Sequence, residues 1–219
     1  MPRERVRTAI ALVRHGESTA NAERRFGGHG PAPLTELGRQ QARRAGQLLA
    51  ETFSPTAIVS SDSVRAIQTA QQIAAITRVQ HLMTPDLRER GLGQLDGALF
   101  DQIQHLQPDD WESLLSPDPD VHPGGGESQR EVHARVARCL DEIVLRNAGG
   151  RVIVVSHAFA LHFVFLHVCG IAPFEAGRKL WVRLGNCSVS RLTHADDGVW
   201  QLESLNEQHH LSGLQKSEP

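Results

Sequence analysis

The feature that most constrains this chain is a short apolar run that stops abruptly at charged and imidazole side chains. Thr8-Ala9-Ile10-Ala11-Leu12-Val13 is followed at once by Arg14-His15-Gly16-Glu17-Ser18. An apolar run of this length, bounded by polar residues, reads as a buried strand. A buried strand that ends in Arg and His delivers both side chains to one edge of a sheet, although Arg is almost never buried without a partner. The expectation is an anion site with a nucleophilic histidine.

The pattern recurs along the chain. Ala57 to Ser61, Val79 to Met83 and Arg151 to Ser156 read as further strands, the last followed by His157. Helices fall between them. One starts near Leu34, with Thr35 as N-cap, and runs to about Phe53. A second runs from about Ser63 to Ile76 with Arg65 in its first turn. A third carries Val132, Val136, Leu140, Ile143 and Val144 at helical spacing, and a buried one follows His157 to about Cys169. Leu180 to Leu184, Ser188 to Thr193 and Val199 to Leu202 read as later strands, with a hairpin around Asp197-Gly198. Alternating strands and helices imply βαβ units. The expected class is α/β: a three-layer α/β/α sandwich with a mostly parallel central sheet and an inserted cap. Sites in such sheets lie outside the carboxyl ends of the strands, where Arg14, His15, Arg65 and His157 would converge.

The domain is expected to span 1–205, with the cap at about 91–129 and a disordered tail at 206–219. From Gly91 to Gln129 there is no Lys or Arg, whereas Asp96, Asp101, Asp109, Asp110, Glu112, Asp118, Asp120 and Glu127 are acidic. Pro108, Pro117, Pro119 and Pro123 limit this stretch to short helices. A formal charge of -2 argues against a nucleic-acid partner bound through bulk charge. Cys139, Cys169 and Cys187 are odd in number and lack metal spacing, which favours a reducing, cytoplasmic setting. The longest apolar stretch, Ala158 to Ala172, is interrupted by His162 and His167 and is shorter than a membrane span. The partner expected is a small phosphorylated substrate, and a homodimer is compatible with the sequence.

Two arginines and two histidines at one sheet edge suit a compact dianion, because guanidinium groups bind phosphate bidentately. Neighbouring cations should lower the pKa of His15. Neutral, it can attack phosphorus and form a phosphohistidine that water then hydrolyses. Glu89, on a glycine-flanked loop, is the candidate general acid and later base. The scheme needs no metal and no cofactor.

Arg14-His15-Gly16-Glu17-Ser18-Thr19-Ala20-Asn21 resembles the signature of the histidine phosphatase superfamily, in its phosphoglycerate mutase-like branch. So do the stretches from Pro33 to Ala42, Ser60 to Ala70, Leu87-Arg88-Glu89, Pro123 to Ser128, Val154 to His157 and Asn186 to Val189. The resemblance implies that His15 is the phosphorylated nucleophile and Glu89 the proton donor. It implies that Arg14, Arg65 and His157 complete the phosphate pocket, and that Asn21, Gly28 and the backbone at Ala158 contact the phosphate. Most relatives have Gly where Ala158 stands. Mutases of this family carry a Tyr shortly after the Glu and several cations in the insertion. This chain has Leu92 there, no Tyr at all, and an acidic cap that would repel a second anionic group. A phosphomonoesterase is therefore favoured over a phosphoglycerate mutase-type phosphotransferase, and over an inactive phospho-ligand binder.

Other residues read blandly. Glu89 could pair with Arg88 or Arg90. Phe100 and Trp111 are expected to fold the cap rather than touch a leaving group. His162 and His167 belong to the core or an interface, and His29, His105 and His122 to loops.

Overall fold

The computed structural model describes residues 6–172, 174 and 180–214. Its centre is a six-stranded sheet in the order β3-β2-β4-β1-β5-β6. The strands are β1 (Arg7–Arg14), β2 (Ala57–Ser61), β3 (His81–Thr84), β4 (Arg151–Ser156), β5 (Val189–Ala195) and β6 (Trp200–Glu207). β1, β4, β2 and β3 pair in parallel, whereas β5 runs antiparallel to β1 and to β6. β1 and β4 are central, so both of their faces are covered and they read as unbroken apolar runs.

The alternation of side chains along β1 sorts the core into two halves. Ala11 and Val13 face α2 (Glu36–Thr52) and α3 (Val64–Thr77), with Leu49, Ala66, Ala70 and Ile73. Ile10 and Leu12 face α6 (Gln129–Arg146) and α7 (Ala158–Val168), with Val136, Leu140, Leu161 and Phe163. Each fully buried Leu, Ile or Phe of this kind contributes roughly 1.5–3 kcal/mol. The layers are thus helix, sheet, helix. Thr35 caps α2, accepting from the Gly38 N–H at 3.0 Å. Ser128 and Glu131 form a reciprocal capping box on α6. A four-residue helix, α1 (Thr19–Ala22), follows the first strand, capped by Ser18.

The expected cap is an excursion carrying α4 (Phe100–Leu106) and α5 (Pro108–Leu115). Leu92, Leu95 and Ile103 form its own small core. It leaves and rejoins the body through one narrow neck. There the Glu127 N–H donates to the Gly91 carbonyl at 2.7 Å, and the Gly91 N–H donates to Glu127 Oε2 at 2.8 Å. A Cβ on Gly126 would lie 2.1 Å from the Gly91 oxygen, so only glycine permits that approach.

Three expectations differ from the structure. The third strand begins at His81 rather than Val79, because Arg78 ends α3 in the left-handed conformation and Val79 packs on the helical core. Leu180 to Leu184 is not a strand. Val182 and Leu184 are buried, but the Val182 N–H bonds His162 Nδ1 and the Leu184 carbonyl accepts from Arg14, so the backbone spends its hydrogen bonds on side chains. The segment after Asn206 was expected to lack order, yet β6 continues to Glu207 and His209–Leu211 forms a helical turn. Leu211 packs on the cluster of Leu34, Ala42, Ala45 and Cys187, which ties that turn down. Residues 215–219 of the expected tail lie outside the described residues.

Candidate active site

β1 carries Arg14 as its last residue, and His15 follows it. The His15 N–H donates to the Ser156 carbonyl at 2.9 Å, which extends the ladder by one bond. Gly16 is then pressed against α2: a Cβ there would sit 2.5 Å from the Gly38 carbonyl. The imidazole of His15 is only 4% exposed. Its Nδ1 lies 2.7 Å from the Gly16 carbonyl, so Nδ1 carries the proton and Nε2 keeps its lone pair. Burial, followed by the nearby Arg65 and Arg14 cations, holds its pKa well below 6.5.

Arg65, in the first turn of α3, is 2% exposed. Its Nε donates to His157 Nδ1 at 3.2 Å, its Nη2 to the Gly28 carbonyl at 2.7 Å and its Nη1 to the Gly30 carbonyl at 3.3 Å. One hydrogen on each Nη nitrogen stays uncommitted. Arg14 donates from Nη1 to the Leu184 carbonyl at 2.6 Å, and its Nε is buried with no partner among the described residues. Gly28, at φ +36°, must be glycine, because a Cβ would fall 1.5 Å from Asp96 Oδ1. Asp96 accepts from the His29 and Leu92 N–H groups and so pins that loop to the cap.

Asn21 is oriented by its oxygen. Oδ1 accepts from the Ser18 N–H, Ser18 Oγ and Asn186 Nδ2 at 3.1–3.2 Å. Its Nδ2 hydrogens are left free to donate. Asn186 also donates to the His15 carbonyl at 3.1 Å, so it braces both residues.

Glu89 follows a helical turn, Pro85–Leu87, that leaves β3. It pairs with neither adjacent arginine. Arg88 binds Asp62 at 2.6 and 2.5 Å, and Arg90 donates to the Glu127 and Val121 carbonyls. The Glu89 carboxyl group instead sits over the start of α7, accepting from the Phe159 and Ala160 N–H groups and from the Arg90 N–H at 3.0–3.2 Å. Its loop is clamped by Arg135, which donates to the Asp86, Arg88 and Glu89 carbonyls and forks onto Glu127 at 2.8 Å. Burial pushes the Glu127 carboxyl up, but bonds from Arg135, His29 and the Gly91 N–H outweigh it and hold the group well below the carboxylate range.

Arg14, His15, Asn21, Gly28, Arg65 and Glu89 line one cavity of about 430 Å³. A larger one of about 540 Å³ shares only Arg14 with that set. Two expected members stand outside the cavity wall. His157 is fully buried behind Arg65, with its ring centroid 5.0 Å from that of His15. Nδ1 accepts from Arg65, so the proton is on Nε2, which donates to Ser61 Oγ at 2.9 Å. Burial, then Arg65 and His15, keep it neutral. Ala158 is helical and half-buried, and the next two N–H groups of α7, those of Phe159 and Ala160, are taken by Glu89.

Sequence reasoning gave no role to Arg135 or, within the Asn186-to-Val189 stretch, to Asn186, because a clamp or a brace depends on which backbone carbonyls the fold brings within reach. Phe100 packs on Phe26 and Trp111 on the small core of the cap, as expected, and both also line the cavity along with Phe159 and Trp181. The cap's acidic side chains are not on that wall. Asp101 pairs with Arg24 and Asp120 with Arg130, so the cap meets the cavity with an apolar rather than an acidic face.

Comparison with known proteins agrees with this geometry. The family model of the histidine phosphatase superfamily (branch 1) matches residues 10–208. The chain is 34% identical over 209 residues to a metal-independent phosphoserine phosphatase of Arabidopsis thaliana, covering 94% of this chain and 84% of that one. It is also 34% identical over 206 residues to a probable phosphoglycerate mutase of Enterobacter sp. (strain 638), covering 92% and 94%. A solved mycobacterial glucosyl-3-phosphoglycerate phosphatase superposes with a TM-score of 0.79 at 29% identity, over 91% of this chain and 99% of that one. With a matched model over nearly its whole length and the buried Arg-His-Arg group at the strand ends, the chain belongs to the histidine phosphatase superfamily, branch 1.

Proposed function

We propose that this protein hydrolyses phosphate monoesters through a phosphohistidine at His15, without a metal. One observation carries the reading: His15 lines the cavity between two guanidinium groups, its Nδ1 proton committed to Gly16 and its Nε2 lone pair free. The phosphoryl oxygens bind the uncommitted N–H groups of Arg14 and Arg65, with Asn21 Nδ2 as a further donor. Nε2 attacks phosphorus as the ester P–O bond breaks, and protonated Glu89 passes its proton to the departing oxygen. Arginine donors already in position stabilise the charge on the equatorial oxygens without reorganising. Glu89, now a carboxylate, takes a proton from water. The water oxygen attacks phosphorus, the N–P bond breaks, and inorganic phosphate leaves with His15 restored.

In this scheme His157 is a positioning residue. As a neutral acceptor it fixes the Arg65 fork rather than adding a positive charge. A mutase cycle is disfavoured because the wall facing the phosphate offers apolar side chains where a second anionic group would need cations. The test is release of phosphate from p-nitrophenyl phosphate in excess chelator, with acid quench of the reaction. Chelator-resistant turnover, and acid-labile phosphate on His15 that is absent in His15→Ala, are expected. Undiminished turnover by that variant overturns the reading.

A further inference from the structure

We infer that the leaving-group side of the cavity is built for the alcohol of an apolar or aromatic phosphate monoester, not for a serine or glycerate that brings its own charges. The inference rests on the phosphomonoesterase reading above. The large apolar side chains lining the cavity include Phe26, Phe100, Trp111, Leu115, Phe159 and Trp181. These come from four separate places in the chain, namely the loop after α1, the two cap helices, the first turn of α7 and the segment before β5. Residues so distant converge on one apolar surface only if the fold brings them there.

Packing alone does not account for this surface. The small core of the cap is closed by Leu92, Leu95 and Ile103, with Phe26 and Trp111 against it. Leu115 and Trp181 add nothing to that core, and they remain 64% and 58% exposed. Trp181 is held by stacking beside His162 and Phe159, with ring centroids 4.3 and 5.5 Å apart. Large apolar side chains left open at the mouth of a cavity mark a surface for an apolar ligand.

The charges on the wall point the same way. Arg25 is committed to Glu23 at 2.6 Å and to the Gly97 carbonyl at 3.0 Å. Arg90 is committed to the Glu127 and Val121 carbonyls and lies 5.5 Å over the Phe159 ring. Arg14 and Arg65 belong to the phosphate. Arg25 and Arg90 keep further N–H groups, but the Arg25 charge is already paired with Glu23 and the Arg90 guanidinium lies over the Phe159 ring, so neither is placed as a dedicated partner for a substrate carboxylate. A substrate ammonium would meet only Glu89, whose proton the reaction needs. Desolvating either charge against this wall is unfavourable, whereas methylenes and rings gain by leaving water. The net reaction is ester plus water giving inorganic phosphate and the neutral alcohol, with Glu89 supplying the proton that the alcohol oxygen keeps.

Four esters of primary alcohols hold the leaving-group chemistry nearly constant: n-hexyl phosphate, benzyl phosphate, phosphoserine and 3-phosphoglycerate. The expected kcat/KM is higher for the first two by about tenfold or more. Trp181→Ala and Leu115→Ser alter exposed positions, so both variants fold, and each should lower the apolar-to-charged ratio by about threefold to tenfold. Equal or better turnover of the charged esters by the unaltered protein overturns the inference, as does a ratio unmoved in both variants. Hydrolysis of none of the four, nor of p-nitrophenyl phosphate, would instead overturn the phosphatase reading beneath it.

Discussion

At the phosphate end of the cavity His15 and Arg65 are 4% and 2% exposed, and backbone carbonyls fix each of them. At the other end Trp181 and Leu115 are more than half exposed and make no side-chain hydrogen bond among the described residues. The first end is made of strand termini and one helix start, and it is locked by polar bonds of fixed direction. The second is made of cap helices and loops, held by apolar contact that has no preferred direction. Chemistry needs the first kind of construction, because a displaced donor loses its effect on the transition state. Selectivity tolerates the second.

Substitutions at the two ends should fail differently. His15→Ala removes the nucleophile and should lower turnover of every ester by roughly 10⁴-fold or more, measured as phosphate release. Glu89→Gln should cost about 10²–10⁴-fold on alkyl esters. The loss in kcat/KM, which reports phosphorylation and not the later hydrolysis, should be much smaller on p-nitrophenyl phosphate, whose leaving group departs without a proton. Equal losses in kcat/KM on both would move the general acid elsewhere. Changes at the apolar end should alter the ranking of esters, about tenfold at most, and leave the dependence on His15 intact.

A change between the two ends tests how they are joined. Arg135→Leu strips Glu127 of its fork and frees the loop carrying Glu89. The pair is partly exposed, so the loss of stability should be about 2–3 kcal/mol, below that of a fully buried pair. Urea unfolding measures it, and kcat should fall more than KM rises.

Stability should also depend on pH. His15, His157 and His162 are all held neutral below the ordinary histidine value, His162 at about 4. Below about pH 6.5 the unfolded chain takes up protons that the folded chain refuses. The contribution of these three to stability is therefore complete above that pH and falls as pH drops toward the folded values. Each histidine contributes up to about 1.4 kcal/mol per pH unit within its window. Urea midpoints near pH 7 and near pH 5.5 read the slope, which should shrink in His162→Phe. The same lowered His15 value keeps the nucleophile neutral through this range, so activity should outlast the first loss of stability.

The convergence of Arg14, His15 and Arg65 on one end of the cavity was legible in the sequence because strand ends and helix starts are local events. Arg14 and His15 end a run of buried apolar residues, and Arg65 sits one turn past Ser60-Ser61. That placement follows from the parallel sheet. The position of His157 behind Arg65 was not legible, because which of two histidines faces the cavity depends on where an arginine from another helix donates. The apolar wall was hidden for a similar reason. Phe100 and Trp111 sit among acidic residues, and composition averages both faces of a short helix. Leu180 to Leu184 has the alternation of a strand, but its hydrogen bonds go to His162 and Arg14, which no period reveals.

The neck at Gly91 and Glu127 has a consequence for descent. Everything between those residues enters and leaves at a single point, with its ends already held together by backbone and carboxylate bonds. Closing a flexible loop grows more costly only with the logarithm of its length, about 0.6 kcal/mol for each doubling. Insertions and deletions in the α4–α5 part of the cap, beyond the bonds that tie Gly97, Ala98 and Phe100 to Arg24 and Phe26, therefore cost the body little, while each one reshapes the surface an alcohol meets. A lineage can change its substrate by rewriting one segment and leave the residues that handle phosphorus untouched.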